Sequence, residues 1–261
     1  MTAINRYTCW SALTGLCLAG ASSTYAQIST INSGVLDTRV YNDFPSATGN
    51  YVNNYPTSIT FGESGVYRTA SGGLNRDEWQ FSNNGTSAYT LGASDYFSVS
   101  MDVTVSGSTS VDNEGGYLIP NANGLFGGGD LQFLADPQSG FLGMFGGTGY
   151  WNSGITYTAG TTVTMGIDYF YDAANSENAF KFWVNDGSGN VYSPVQDWSG
   201  GNLAGDELGS YYQIGNGGTS PGATGEAVFS DIVITTIPEP SALALLALGC
   251  LPLARYLRRR A

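Results

Sequence analysis

The feature that most constrains the fold of this chain is a segment in which apolar and polar side chains alternate without exception. It covers residues 97–106, and its apolar members are Phe97, Val99, Met101, Val103 and Val105. Successive side chains of a β-strand point to opposite faces of the sheet, so a period of two gives the strand one buried side and one solvated side. The segment therefore predicts a long strand in a sheet that packs one face on a core.

Other segments alternate in the same way, and turn-forming residues separate them. Residues 163–171 and 180–184 are two such segments, and the run Asn-Asp-Gly-Ser-Gly at 185–189 is typical of a hairpin turn. The further strand candidates are residues 57–61, 78–81, 116–119, 131–135, 141–145, 191–195 and 227–235. About ten strands separated by glycine, asparagine and serine predict an antiparallel two-sheet β-sandwich.

The N-terminal residues have the pattern of a secretory signal peptide. Arg6 precedes a largely apolar stretch at residues 7–21, and small residues around Ala26 supply a cleavage site. We therefore predict that a signal peptidase removes residues 1–26 and that the exported body begins at Gln27.

The C-terminal residues form a second targeting pattern. Pro238, Glu239 and Pro240 precede an apolar stretch at residues 242–254, and the chain closes on the arginines Arg255, Arg258, Arg259 and Arg260. As a helix this stretch is roughly 20 Å long, which is short for the ~30 Å of hydrocarbon in a bilayer. The terminal arginines favour the cytoplasmic side, so we predict a short transmembrane helix with the body outside.

This C-terminal arrangement resembles the PEP-CTERM sorting signal, which exosortase, a bacterial membrane peptidase, recognises. In that family a Pro-Glu-Pro motif, a short hydrophobic helix and an arginine cluster follow one another, as do Pro238 to Pro240, residues 242–254 and Arg258, Arg259 and Arg260 here. The resemblance covers residues 237–261. It implies transient anchoring in the inner membrane, followed by sorting of the body, residues 27–236, to the cell surface or extracellular matrix.

The charge of the body excludes several partners. Between residues 27 and 236 there are 4 basic residues, Arg39, Arg68, Arg76 and Lys181, against 20 acidic ones, which gives a net charge of −16. Such a body repels nucleic acid, because phosphate binding needs clustered Lys and Arg. The chain has no histidine, which excludes a Ser-His-Asp triad and an ordinary zinc site.

Three segments of the body resemble the concanavalin A-like jelly roll of lectins and glucanases, which laminin G-like domains share. They are residues 96–105, 131–145 and 226–235. The resemblance implies a sandwich whose curved face binds glycans in many relatives. The catalytic pattern of the glucanases, Glu-x-Asp-x-x-Glu, is absent, so we predict that the body is not an enzyme.

Aromatic residues are the candidates for glycan binding, because an aromatic ring complements the apolar C–H face of a sugar. The candidates are Trp183, Trp151, Tyr150, Trp79 and Trp198. Each is alternatively a core or edge residue, since Trp and Tyr bury large areas. Trp183 is the strongest candidate, because its neighbours Phe182 and Val184 occupy the other side of the strand.

Acidic residues in loops suggest a calcium ion as the one cofactor. The candidate ligands are Asp112, Glu114 and Asp95, whose carboxylate oxygens suit Ca²⁺. A solvated acidic surface is the alternative interpretation.

The sequence thus predicts an exported, exosortase-sorted surface protein that binds glycan without catalysis, in association with exopolysaccharide or biofilm. A passive structural or adhesive matrix protein without specific sugar binding is the alternative. A glycoside hydrolase with an unrecognised pair of carboxylates is a third hypothesis.

Overall fold

The computed structural model describes residues 27–41, 48–66, 75–120, 130–146, 149–199, 201–215 and 223–238. The predicted signal peptide lies outside these residues. So does the predicted sorting signal, except for its first two residues, Ile237 and Pro238. Within the described parts of the chain, no helix is long and apolar enough to cross a membrane.

Fifteen strands follow a short 3₁₀ turn at Gln27–Thr30 in the described residues. In chain order they are β1 (Ser33–Tyr41), β2 (Thr48–Asn54), β3 (Ser58–Val66), β4 (Asn75–Ser82), β5 (Phe97–Gly107), β6 (Asn113–Ile119), β7 (Leu131–Asp136), β8 (Phe141–Gly146), β9 (Gly149–Asn152), β10 (Thr162–Asp172), β11 (Glu177–Asn185), β12 (Asn190–Tyr192), β13 (Gln196–Trp198), β14 (Gly209–Ile214) and β15 (Ala223–Thr236).

The strands form two antiparallel sheets. The seven-stranded sheet has the order β1-β4-β14-β6-β7-β8-β9. The eight-stranded sheet has the order β12-β11-β10-β5-β15-β3-β2, with β13 also paired to β11. The predicted all-β jelly-roll sandwich is confirmed.

The alternating segment at residues 97–106 forms β5, in the middle of the eight-stranded sheet. Its apolar side chains are buried, and the polar side chains between them are only partly so. β10 lies on one side of it and β15 on the other. The strongest pattern in the sequence therefore forms a central strand, where one face is covered by the opposite sheet and the other is left to solvent.

Aromatic side chains from both sheets fill the space between them. The rings of Phe133 on β7 and Phe182 on β11 meet edge to face across the sandwich, with centroids 5.3 Å apart. The Tyr117 hydroxyl donates a hydrogen bond of 3.2 Å to the Met165 carbonyl oxygen, which joins β6 to β10. This polar link satisfies a hydroxyl that is completely buried.

Candidate functional site

The outer face of the seven-stranded sheet carries a charged cluster built on β4, β6 and β14. Arg76 lies at its centre, with Nε 2.6 Å from Glu78 Oε1 and Nη2 2.9 Å from Asp130 Oδ2. Its Cζ lies 5.2 Å from the ring centroid of Tyr211, whose hydroxyl donates a hydrogen bond of 3.1 Å to Glu114 Oε1. We call these five residues the Arg76 cluster.

The sheet register explains why these side chains meet. Gln213 on β14 lies opposite Arg76 on one side and opposite Glu114 on the other. In the next row Tyr211 lies opposite Glu78 and Gly116. Residues two apart on one strand share a face, so two adjacent rows bring the charges together.

Glu114 is the most perturbed acid of the cluster. Burial raises the pKa of its carboxyl to about 7, and the negative charges of Asp136 and Asp112 act in the same direction. The Tyr211 hydrogen bond and the positive charge of Arg76 oppose the rise. Near neutral pH this carboxyl therefore exists in both protonation states.

The middle of this outer face is closed to solvent. Leu118, Leu134 and Tyr211 form a small apolar cluster there, with Phe141 packed against it. Leu118, Leu134 and Tyr211 lie on the side of the sheet that faces away from the main core, yet they are at most 3% exposed. A long polysaccharide therefore has no direct access to the centre of the face.

The far edge of the same face is open. Phe145 on β8 and Tyr150 on β9 lie directly opposite each other, and they are 55% and 64% exposed. The ring of Phe141 lies 5.4 Å from that of Tyr150. We call these three aromatic residues the β8–β9 shelf.

A cavity of about 440 Å³ adjoins the β8–β9 shelf. Hydroxyl and amide side chains contribute to its wall together with two rings of the shelf. The described residues that line it are Ser139, Gly140, Phe141, Tyr150, Asn152, Gly154, Ile155 and Thr156. None of these lining residues is basic.

The local sequence determines why the rings face outward. Leu142 and Met144 of β8 are completely buried, which leaves Phe141 and Phe145 on the opposite side. Between them Gly143 lies so close to β9 that a Cβ at this position would be 2.0 Å from the Trp151 carbonyl oxygen. A larger residue at 143 would separate the strands that hold the two exposed rings.

The structure places the predicted aromatic residues in different environments. Tyr150 lies on the shelf. The next residue, Trp151, is partly buried, and the centroid of its ring lies 6.1 Å from that of Phe133. Adjacent residues of a strand point to opposite faces, so only one of the two reaches the cavity. Glycan contact by Tyr150 stays a prediction.

Two of the predicted glycan contacts pack against the core. Complete burial contradicts the prediction for Trp79, whereas glycan contact by the half-buried Trp198 stays a prediction. Trp79 is completely buried, and its ring lies 4.8 Å from that of Phe81 inside the sandwich. Trp198 is half-buried and packs against the core, where the centroid of its ring lies 6.3 Å from that of Phe180. A Cβ on Gly201 would fall 1.8 Å from Cε2 of Trp198, so this indole covers a glycine at the sheet edge.

Trp183 lies on the outer face of the eight-stranded sheet, away from the β8–β9 shelf. Phe180, Phe182 and Val184 are completely buried, whereas Trp183 is partly exposed, as the sequence pattern predicts. It stands directly opposite Gly166 on β10 and Tyr192 on β12. Tyr192 is 48% exposed.

The three predicted calcium ligands are not brought together. Asp95 accepts hydrogen bonds from the Tyr89 hydroxyl at 2.7 Å and from the Gly92 backbone N–H at 2.8 Å. Glu114 belongs to the Arg76 cluster, and Asp112 immediately precedes the same strand. In the described residues no group of three acidic, His or Cys side chains is placed to hold a metal ion. Calcium binding stays a prediction, without the three-residue site that the sequence suggested.

The sequence interpretation missed Arg76, Phe141 and Phe145. On β8 a signal was present, because Phe141 and Phe145 share the face opposite the buried Leu142 and Met144. On β4 the charges at the consecutive positions 76–78 conceal any alternation. What no pattern indicated is that Arg76 would be only 16% exposed in its side chain.

No family model matches this chain, and no curated protein matches it. Solved structures with similarity to it include a Lotus tetragonolobus seed lectin, at 10% identity over 77% of this chain and 100% of the lectin, with a TM-score of 0.43. Arcelin-5, a lectin-like defence protein from Phaseolus vulgaris, is 9% identical over 79% of this chain and 100% of its own, with a TM-score of 0.42. An alginate lyase from Pseudomonas aeruginosa is 15% identical over 73% of this chain and 87% of the lyase, with a TM-score of 0.47.

These comparisons correct one prediction. The sequence predicted that the body is not an enzyme. This prediction is contradicted, because alginate lyases, which are enzymes, are among the similar structures. The missing glucanase pattern excluded one catalytic arrangement of the fold and not catalysis in general.

Proposed function

We propose that the body binds a polysaccharide at the β8–β9 shelf. The observation that carries this proposal is the cross-strand pair of Phe145 and Tyr150, both more than half exposed, beside a cavity with hydroxyl and amide groups. Exposed rings offer flat apolar surfaces to the C–H faces of sugars. A few polar groups in a concave site then fix the orientation of the ligand.

The charges favour a neutral sugar chain as the ligand. The described residues that line the cavity include no Lys or Arg. Arg76 is already engaged by Glu78 and Asp130. A polyanion would also meet the field of a body with 16 excess negative charges, which opposes its approach.

The binding test uses the full-length chain, purified in mild detergent, and a panel of neutral polysaccharides in retention assays. Replacing both Phe145 and Tyr150 by alanine should weaken retention about tenfold or more, since each ring contact is worth about 0.5–1.5 kcal/mol. Val52→Ala is the matched control, because Val52 is 41% exposed on β2 of the other sheet.

Two results would contradict the proposal. Retention of the double variant at the level of the original chain would exclude the shelf as the site. Failure of the original chain to bind any glycan would favour the passive matrix protein instead.

We also propose that the chain is exported, sorted by exosortase and left at the cell surface or in the extracellular matrix. The support is the order of its terminal segments, with the motif at Pro238, Glu239 and Pro240 ahead of the arginines. In a bacterium with an exosortase, changing Glu239 to Ala should leave an unprocessed form in the membrane fraction. Processing and release of this variant at the normal rate would contradict the sorting proposal and leave the binding proposal unaffected.

A further inference from the structure

The indole of Trp183 lies with one face against the backbone of Gly166. A Cβ at position 166 would fall 2.1 Å from Cε2, 2.3 Å from Cζ2 and 2.5 Å from Nε1 of this indole. Because Cε2 is nearer to this point than Cζ2 and Nε1, the two outer ring atoms bonded to it, the point lies over the ring and not beside its edge. Glycine therefore allows the indole to lie flat on the sheet, with its second face turned away from the strand.

A tyrosine and a lysine lie beside this indole on one side. Tyr192 stands directly opposite Trp183, on β12. The Lys181 Nζ lies 4.4 Å from the centroid of the Tyr192 ring, which is a cation–π contact. Two adjacent rings held in this way keep few rotamers to lose when a ligand binds.

Hydrogen-bonding groups lie on the other side, along β10. Asp168 accepts a hydrogen bond of 2.6 Å from the Ser98 hydroxyl. Asp102 accepts one of 2.6 Å from Thr164. Asp168 and Thr164 are each two residues from Gly166, which is about 6.6 Å along the strand. A carboxylate has about four acceptor sites, so both aspartates keep capacity for further donors.

We propose that Trp183 and Tyr192 form a second sugar-binding surface, on the side of the sandwich opposite the β8–β9 shelf. A neutral pyranose ring stacks on the free face of Trp183. Because the rows of Asp168 and Asp102 are about 13 Å apart along the sheet, hydroxyl groups of successive sugar units of one chain donate hydrogen bonds to these two carboxylates. We call these four residues the Trp183 platform. If the proposed function at the shelf also holds, one molecule bridges two polysaccharide chains, which is multivalent binding in an extracellular matrix.

The alternative is that Trp183 only shields Gly166 from solvent, as aromatic residues do next to glycines in sheets. The two explanations predict different results for variants that keep a ring on the glycine. Trp183→Phe retains the cover but offers a smaller stacking surface. Asp168→Asn leaves Trp183 in place and removes a charged acceptor.

The first test is a binding titration of the full-length chain with soluble neutral β-glucan and galactomannan, followed by tryptophan fluorescence. We expect a ligand-induced change that Trp183→Phe abolishes, and affinity at this surface about tenfold lower in Trp183→Ala and Asp168→Asn. Asp186→Asn, in the exposed hairpin that follows β11, is the control and should bind normally. Unchanged titrations for Trp183→Phe and Asp168→Asn would overturn the proposal, even if Trp183→Ala fails to fold.

The second test separates this surface from the β8–β9 shelf. Light scattering should show that the original chain cross-links a long polysaccharide, whereas variants of either surface alone bind it without cross-linking. Loss of binding with shelf variants but not with platform variants would leave only the shelf. The reverse pattern would leave the Trp183 platform as the site and reject the proposed function at the shelf.

Discussion

The two outer faces of this sandwich differ in how far water reaches their side chains. On the seven-stranded sheet, Gln80, Tyr211 and Gln213 face away from the core and yet are at most 5% exposed. On the eight-stranded sheet, Ser98, Ser100 and Asp102 alternate with buried residues of β5 and stay partly exposed. Alternation therefore identifies the side that faces away from the core, but it does not say whether that side is solvated.

The difference changes how each face holds its polar groups. The first face has an ion-paired cluster around one guanidinium, with a carboxyl whose pKa is raised to about 7 by burial. The second face has short hydroxyl–carboxylate pairs such as Ser98 with Asp168. Buried charges are costly unless they are paired, whereas solvated ones contribute little in either direction. Matched substitutions on the two faces should therefore have unequal effects.

The largest difference is expected between Arg76 and Lys181, one basic residue on each face. Arg76→Ala leaves Glu78 and Asp130 without their cation in a largely buried site and should lower the free energy of unfolding by about 3–5 kcal/mol. Lys181→Ala on the opposite face removes only an exposed contact with Tyr192 and should cost less than ~1 kcal/mol. Urea denaturation of both variants measures this, and equal losses would contradict the distinction between the faces.

The second largest difference is expected for substitution of two glycines, one in each sheet. A Cβ at Gly116 would lie 1.9 Å from the Phe133 carbonyl oxygen, a backbone atom that cannot rotate away. At Gly166 it would meet the side chain of Trp183, which can move. We expect Gly116→Ala to destabilise by about 3 kcal/mol and Gly166→Ala by about 1 kcal/mol. Thermal unfolding measures both, and a larger loss for Gly166→Ala would show that Trp183 is fixed more firmly than the backbone.

The raised pKa of Glu114 predicts a pH dependence of stability. The folded protein binds this proton more tightly than the unfolded chain, whose value is near 4.5. The contribution of this carboxyl to the free energy of unfolding is therefore fully present below about pH 4.5, and it is lost as the pH rises towards 7 and above. Glu114→Gln should raise stability by about 2 kcal/mol at pH 8 and change it little at pH 4.

Denaturation curves across this pH range check the Glu114 prediction. Asp168→Asn is the control from the other face. The prediction fails if Glu114→Gln has the same effect at pH 4 and pH 8.

The smallest effects are expected for two hydroxyl groups that each donate to a carboxylate. Tyr211→Phe removes the donor to Glu114 in a buried site and should cost about 1–2 kcal/mol at pH 7. Ser98→Ala removes the donor to Asp168 on the open face and should cost about 0.5 kcal/mol. Calorimetry measures the free energy of unfolding of both variants. A larger loss for Ser98→Ala than for Tyr211→Phe would contradict the prediction that polar contacts contribute more on the seven-stranded sheet.

Much of the fold was predictable because the strongest strands are buried on one side only. β5, β10 and β11 appear in the sequence as alternating segments, and the hairpin between β11 and β12 follows from its turn residues. β14 was missed because all six of its residues are buried, so polarity has no period of two along it. β9 was missed because its four residues are too few to show a pattern.

The candidate sites were predicted less well, since neighbouring residues of a strand have opposite environments. Tyr150 and Trp151 are adjacent in the sequence, yet one is on the β8–β9 shelf and the other packs on Phe133. Trp79 follows a charged run, which suggests exposure, but Arg76 and Glu78 lie on the other face of β4 and Trp79 points into the core. Only the register with the adjacent strands decides between the two faces.

The sequence by itself determined that the body is a sandwich, that it is strongly acidic and that its terminal segments have the form of targeting signals. Composition and local periodicity are properties of contiguous residues, so they can be read without the fold. Tertiary structure alone decided that Arg76 meets Asp130 and Tyr211, that Phe145 meets Tyr150, and that Trp183 lies flat on Gly166. These pairs come from different strands, and strand order and register bring them together.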